Sequence, residues 1–379
     1  MFIINEKTSK LTNFIAPSMV VAVGAILLGF LQNLIITILG ISNFALEVDT
    51  LIFSLLITFF SQVAGSLIIY FLVIPLMKIK EVEKQSFSSR NLVRTVFLLC
   101  STFAVSILSN YVFIFFFDLF SLVPQSGYSG ILLDVTHLNN PLNVIIYYLP
   151  FTLGAPVFEE LLYRRTIVPM LEKRGMAPYT AILTSSVVFS IAHFPNDLIN
   201  GNLYGGIMHC MAVFYISISL GIVYTLTRNI LFPIILHSFI NFISFSGPLI
   251  NILQNEILLL SYNVVVISIA IIGIGILIYN VWRYFERGST DWVVLLKTRS
   301  SQKIIQGLIV FLIIGIVSPF IPIMIEVLSM NEFLRSNNYS QYLTSLLASY
   351  AVVVILFLLL GSRARFAPSK KMKERSNII

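Results

Sequence analysis

Phe158-Glu159-Glu160-Leu161-Leu162-Tyr163-Arg164-Arg165 sets two adjacent carboxylates at the end of a long apolar run. Charge is scarce elsewhere, since 57% of the 379 residues are hydrophobic and 11% are charged. A carboxylate at bilayer depth costs about 2.5–3.5 kcal/mol even on the lenient insertion scale. Two side by side therefore imply partners or a task, and they mark a functional site inside a membrane protein. The composition around them agrees. Soluble domains carry about 25% charged residues, whereas the mean hydropathy here is +0.92. Several runs exceed the roughly 18 apolar residues that mark a membrane-spanning helix. The expected fold is all-α, a polytopic transmembrane helical bundle with little chain left for a soluble domain.

Outward from this stretch, the apolar runs predict ten spans, at 13–40, 50–77, 94–120, 141–172, 178–197, 203–227, 230–246, 256–282, 304–327 and 341–361. The loops between them alternate in charge. Lys7, Lys10, Lys78, Lys80, Lys84, Arg90, Arg94, Arg164, Arg165, Lys173, Arg174 and Arg228 fall on one side. Arg283, Arg287, Lys297, Arg299, Lys303 and the basic tail from Arg363 to Arg375 join them, leaving only Arg335 opposite. The other loops carry mainly acids, among them Glu47, Asp49, Asp118, Asp134, Asp197, Glu256 and Glu332. This is the positive-inside pattern and predicts cytoplasmic N- and C-termini. The net charge of +7 thus follows topology, and no nucleic-acid partner is expected. The chain divides into N-terminal helices at 1–93, a core at 94–250, additional helices at 251–362 and a basic tail at 363–379 that touches anionic lipid. The segment 284–303, which alternates apolar and charged residues around Trp292, reads as surface-lying.

Cys100 and Cys210 stand in different apolar runs without CxxC spacing. That excludes a disulfide framework and disfavours a cysteine metal site, so both read as packing residues. Asn13 to Leu39 is longer than the 7–15 residues of a cleaved signal core and reads as a retained first helix. The C-terminus offers no cysteine for prenylation.

Three spans carry polar residues at helical spacing. Glu160 and Arg164 share a helix face at i, i+4 and can pair, while Glu159 points about 100° away. Phe189 and His193 repeat the spacing in the fifth span, and His237 and Asn241 in the seventh. The fourth and fifth spans form a hairpin near Gly175, sixteen residues after Glu159 and eighteen before His193. At about 1.5 Å per residue, those two side chains stand at nearly one height. His237 enters eight residues after Asn229 and reaches a similar depth. These residue types fit hydrolysis. A carboxylate in a poorly hydrated site is suited to accept a proton from water near neutral pH. One histidine could orient that water, and a second with an amide could hold the oxyanion. Each also has a plainer explanation, since intramembrane His and Asn often join helices and an i, i+4 Glu–Arg pair is more often structural. His137 and His209 lack such partners in the sequence and read as structural or incidental.

Glu159-Glu160-x-x-x-Arg164, Phe189-x-x-x-His193 and His237-x-x-x-Asn241, in this order on successive spans, resemble the CAAX protease and bacteriocin-processing family. It is also called the Abi family or the type II CAAX prenyl endopeptidase-like proteins. The resemblance covers residues 90–250 and leaves the C-terminal extension unexplained. It implies an intramembrane endopeptidase with a conical cavity, Glu159 as general base and His193 activating water. His237 and Asn241 would form the oxyanion site, supported by Glu160, Arg164 and Phe189. The expected mechanism uses no metal; Glu and His could ligate zinc, but no HExxH is present. Members of this kind are proposed to process peptides, confer bacteriocin immunity or affect envelope protein display.

The first expectation is thus an endopeptidase of a bacterial cell membrane acting on a membrane-associated peptide or protein. The alternative is a non-proteolytic scaffold or immunity protein that binds a membrane-protein partner through its flanking helices. A transporter is disfavoured, because its polar residues should cross both leaflets or break helices in paired halves. Gly154 and Pro156 do interrupt the fourth span.

Overall fold

The computed structural model describes residues 12–41, 50–77, 96–105, 141–173, 178–195, 203–252 and 255–287. It also describes short helical pieces at 311–315 and 346–353 and a few isolated positions. Every regular element among the described residues is helical. In chain order these are α1 (Thr12–Ile41), α2 (Leu51–Leu76), α3 (Val96–Val105) and α4 (Pro141–Lys173). There follow α5 (Pro178–Ile191), α6 (Leu203–Thr227), α7 (Leu231–Ile252) and α8 (Glu256–Arg287). Five of them, α1, α2, α4, α6 and α8, contain stretches long and apolar enough to cross a membrane. Among the described residues the protein is therefore all-helical, with helices fit to cross a membrane. The ninth and tenth expected spans lie largely outside the described residues. So do both termini, His137, Gly175, Arg174 and most of the loop lysines and arginines that set the expected orientation.

Three expected boundaries shift. The fifth span, expected to reach residue 197, leaves helical winding after Ile191 and turns at Ala192 and His193. The seventh continues to Ile252, and the eighth continues to Arg287. The beginning of the segment expected to lie on the surface therefore extends α8, and its remainder lies outside the described residues.

Helix α4 carries the two carboxylates and touches α1, α2, α5, α6 and α7. Its winding is not uniform. Over Leu149–Gly154 and Glu160–Ile167 the helix opens so that N–H groups reach five residues back, as over Ile69–Val73 in α2. Each of these wide segments ends two residues before a proline: Pro75, Pro156 and Pro169. A proline inside an α-helix has no N–H, and its ring collides with the carbonyl four residues back. Those carbonyls belong to Phe71, Thr152 and Arg165, which all lie inside the wide segments. Opening the turn displaces the carbonyl without ending the helix, a common cause of local irregularity. Pro17 in α1 is accommodated without such a turn.

The largest apolar core brings Ala16, Val20 and Leu27 of α1 and Ile69 and Val73 of α2 against Phe158, Leu161, Leu162 and Ile167 of α4. Two glycines allow this approach on either side of the carboxylates. A Cβ at Gly24 would run into the Leu162 side chain, and one at Gly65 would come 2.8 Å from the Phe158 ring. At the far end of α4, Arg228 donates a forked pair of hydrogen bonds to Glu172, at 2.8 and 3.0 Å. This joins the C-terminal ends of α4 and α6. Arg228 adopts φ 49°, a left-handed conformation that closes α6 and admits the short turn into α7. The fold thereby fixes where α7 begins, and with it the height of His237.

Candidate active site

Wide winding over 160–167 keeps residues four apart on nearly one face, so the Glu160–Arg164 pairing expected from spacing is present. Arg164 Nε lies 3.1 Å from Glu160 Oε2, and both side chains are almost fully buried. Arg164 extends further than sequence spacing reveals. Its Nη2 donates to the Ser217 carbonyl at 3.2 Å and to Ser217 Oγ at 2.9 Å, on α6. Its guanidinium also lies over the Phe189 ring, 4.6 Å from the centroid. A charge taken out of water needs several such partners to offset its desolvation. One arginine thus connects α4, α5 and α6.

The other oxygen of Glu160 turns to α7. His237 Nδ1 lies 2.8 Å from Glu160 Oε1. A carboxylate paired with arginine can only accept, so Nδ1 carries the proton and donates it. His237 Nε2 then points to Glu159, 3.7 Å from Oε2. On the opposite side His193 Nδ1 stands 2.9 Å from the Phe189 carbonyl. A carbonyl also only accepts, so this ring is protonated at Nδ1 and presents Nε2 toward Glu159 Oε1, 3.9 Å away. Glu159 therefore has one imidazole nitrogen facing each of its oxygens, both beyond direct hydrogen-bond length. Its side chain keeps 19% exposure, against 0% for Glu160. The neighbouring carboxylates thus divide: Glu160 is fully buried in an ion pair, and Glu159 opens to a partly accessible space.

Phe189 forms the floor between these groups. Its ring contacts Tyr163 and His193, both with centroids 4.9 Å away, and His237 at 6.1 Å. Glu159, Glu160, Arg164, Phe189, His193 and His237 are thus gathered at one place. Asn241 stands apart in its bonding. Its Nδ2 donates to the Phe151 carbonyl at 2.8 Å, and the reason lies in α4. In the wide turn Ala155 N–H reaches back to the Pro150 carbonyl. The next carbonyl, that of Phe151, would pair with residue 156, which is proline and has no N–H. Asn241 supplies the missing donor and retains a second N–H on the same amide.

Sequence reasoning missed two contributions to the site. Ser217 gave no signal beyond being a small polar residue in an apolar run. His209, set aside as structural or incidental, lies with its ring 5.5 Å from that of His193. No group of three or more His, Cys, Asp or Glu side chains suited to a metal ion occurs among the described residues.

Residues 141–243 match the family model described as type II CAAX prenyl endopeptidase Rce1-like. The matched stretch contains Glu159, Glu160, Arg164, Phe189, His193, His237 and Asn241. The similarity to that family is carried by helices α4 to α7. No curated protein and no solved structure matches the chain.

Proposed function

We propose that the chain is an intramembrane endopeptidase that hydrolyses a peptide bond of a membrane-associated peptide or protein. The observation that carries this reading is the placement of His193 Nε2 and His237 Nε2 at 3.9 and 3.7 Å from the two oxygens of Glu159. Glu159 and His193 Nε2 are both acceptors, so neither can bond the other directly. A water between them can donate one hydrogen to each. Its oxygen lone pair is then left for the scissile carbonyl carbon, with Glu159 accepting the proton as general base.

Attack forms a tetrahedral intermediate whose oxygen carries the charge. The second N–H of Asn241, and His237 Nε2 when that ring carries a second proton, would donate to this oxyanion. As the C–N bond breaks, the proton held on Glu159 passes to the departing amine. Glu160 and Arg164 act through His237 by holding its Nδ1, and Phe189 acts through His193 by accepting from its Nδ1. This reading uses no metal ion. A bacterial cell membrane, cytoplasmic termini, lipid neighbours and a role in peptide processing, bacteriocin immunity or envelope protein display complete it.

The test compares wild type, Glu159→Gln and His193→Ala at equal membrane abundance, with membrane and released peptides read by mass spectrometry. Loss of general-base catalysis lowers turnover about 10²–10⁴-fold, so the same cleaved peptide should vanish from both variants. If both folded variants release the wild-type peptide set, the hydrolytic reading fails. A membrane scaffold or immunity protein of the same fold then replaces it.

A further inference from the structure

The ring of His193 stands where a helix has already ended. Its residue lies in the turn after Ile191, where the backbone N–H reaches only three residues back, to the Ser190 carbonyl at 3.1 Å. A side chain on such a turn lacks the steric confinement of a helix interior. Of its close neighbours, the Phe189 carbonyl and the Phe189 ring belong to its own helix. Glu159 is too distant to hold it. Among the described residues, α6 adds a further ring contact.

Two consecutive residues of α6 supply that confinement. The His209 ring meets the His193 ring in a T-shaped contact, with centroids 5.5 Å apart and planes at 77°. Its neighbour Cys210 exchanges hydrogen bonds with Ser190. Ser190 Oγ donates to the Cys210 carbonyl, and Cys210 Sγ donates to the Ser190 carbonyl at 3.2 Å. The Ser190 carbonyl accepts from the His193 N–H as well, using its second lone pair. The backbone of His193 is thus tied to Cys210 through one shared acceptor, and its ring is flanked by His209. This exchange also fixes the register of α6 on α5, which is what places residue 209 opposite residue 193.

We propose that His209 is a positioning residue of this site, with Cys210 setting its register. It confines the His193 ring so that Nδ1 stays on the Phe189 carbonyl and Nε2 on the Glu159 side. The catalytic meaning of that placement rests on the hydrolytic reading above, but the placement itself does not.

The test reads His193 directly. Wild-type, His209→Ala and His209→Phe chains are labelled with ¹⁵N-histidine and reconstituted in lipid nanodiscs. The His193 resonance, assigned through His193→Gln, reports which ring nitrogen carries the proton. Wild type should show one form protonated at Nδ1. His209→Ala should lower the ratio of this form to all others by roughly 2- to 10-fold, as expected for loss of one aromatic pair. His209→Phe, which keeps a ring at the same place, should restore it. A His193 signature unchanged in His209→Ala overturns the proposal. So does a folded His209→Phe chain that is as mixed as the alanine variant, and this second comparison stands even if His209→Ala fails to fold. Neither readout requires a substrate, so failure here is distinct from failure of the protease assignment.

Discussion

Breaking the Glu160–Arg164 pair should cost far more when one partner is removed than when both are. Glu160 is wholly enclosed, and Arg164 is 1% exposed. In Arg164→Met the Glu160 carboxylate keeps His237 but loses its counter-charge, and Ser217 loses the two hydrogen bonds that Arg164 donated. In Glu160→Gln the Arg164 cation keeps Ser217 and the Phe189 face but loses its counter-charge. Removing one half of a buried pair costs about 3–5 kcal/mol, because the survivor stays buried and uncompensated. Replacing both by neutral groups of similar volume leaves no stranded charge. The double variant should therefore lie above the sum of the singles by an interaction energy of about 2–3 kcal/mol. Unfolding titrations in one bicelle composition, followed by circular dichroism, supply all four corners of the cycle. Additive losses, or single losses below about 1 kcal/mol as for an exposed pair, would refute the claim that this pair organises the site.

Other outcomes follow from neighbouring features. Asn241→Leu strands the Phe151 carbonyl and should cost about 1–3 kcal/mol; adding Pro156→Ala supplies an N–H and should recover part of it in the same titration. Gly65→Val forces a side chain against the Phe158 ring and should destabilise by about 1–3 kcal/mol, a loss that Phe158→Leu should relieve. Arg228→Ala loses the Glu172 fork and keeps a Cβ in the left-handed turn, whereas Arg228→Gly loses the fork but relieves that backbone strain. The glycine variant should unfold about 1 kcal/mol later than the alanine variant.

The sequence exposed what depends on local spacing. Glu160 and Arg164 are four apart, and that interval survives both α and wider winding, so their pairing was visible. Glu159 and His193 could be placed at one height because two antiparallel helices on either side of a turn preserve distance along the chain. His209 could not be found this way. Its proximity to His193 depends on the lateral register of α6 on α5, set by Ser190 and Cys210, which resemble ordinary packing residues in an apolar run. The bond from Asn241 to Phe151 was hidden for another reason. It answers a backbone donor removed by Pro156, and the effect of a proline on a carbonyl five residues earlier appears only once the winding is known. Helix ends were least legible: α7 and α8 run past their expected limits because an apolar pattern does not mark where capping occurs.

The wide segments in α4 have a consequence for inheritance. A turn of this kind is equivalent to one residue added to an α-helix without breaking it. Loss of a single codon anywhere between residues 160 and 167 would let the helix close again as α. The stretch bearing Glu159 would then keep nearly its orientation relative to the end bearing Glu172, because the wide turn had absorbed the extra residue. If the loss falls at residues 165–167, which leaves the Glu160–Arg164 spacing intact, Glu159 can still face His193 and His237 while Glu172 holds Arg228. An in-frame deletion there should thus be better tolerated than the same loss in the regularly wound Val168–Lys173, which would rotate Glu159 by about 100° relative to the Arg228 anchor.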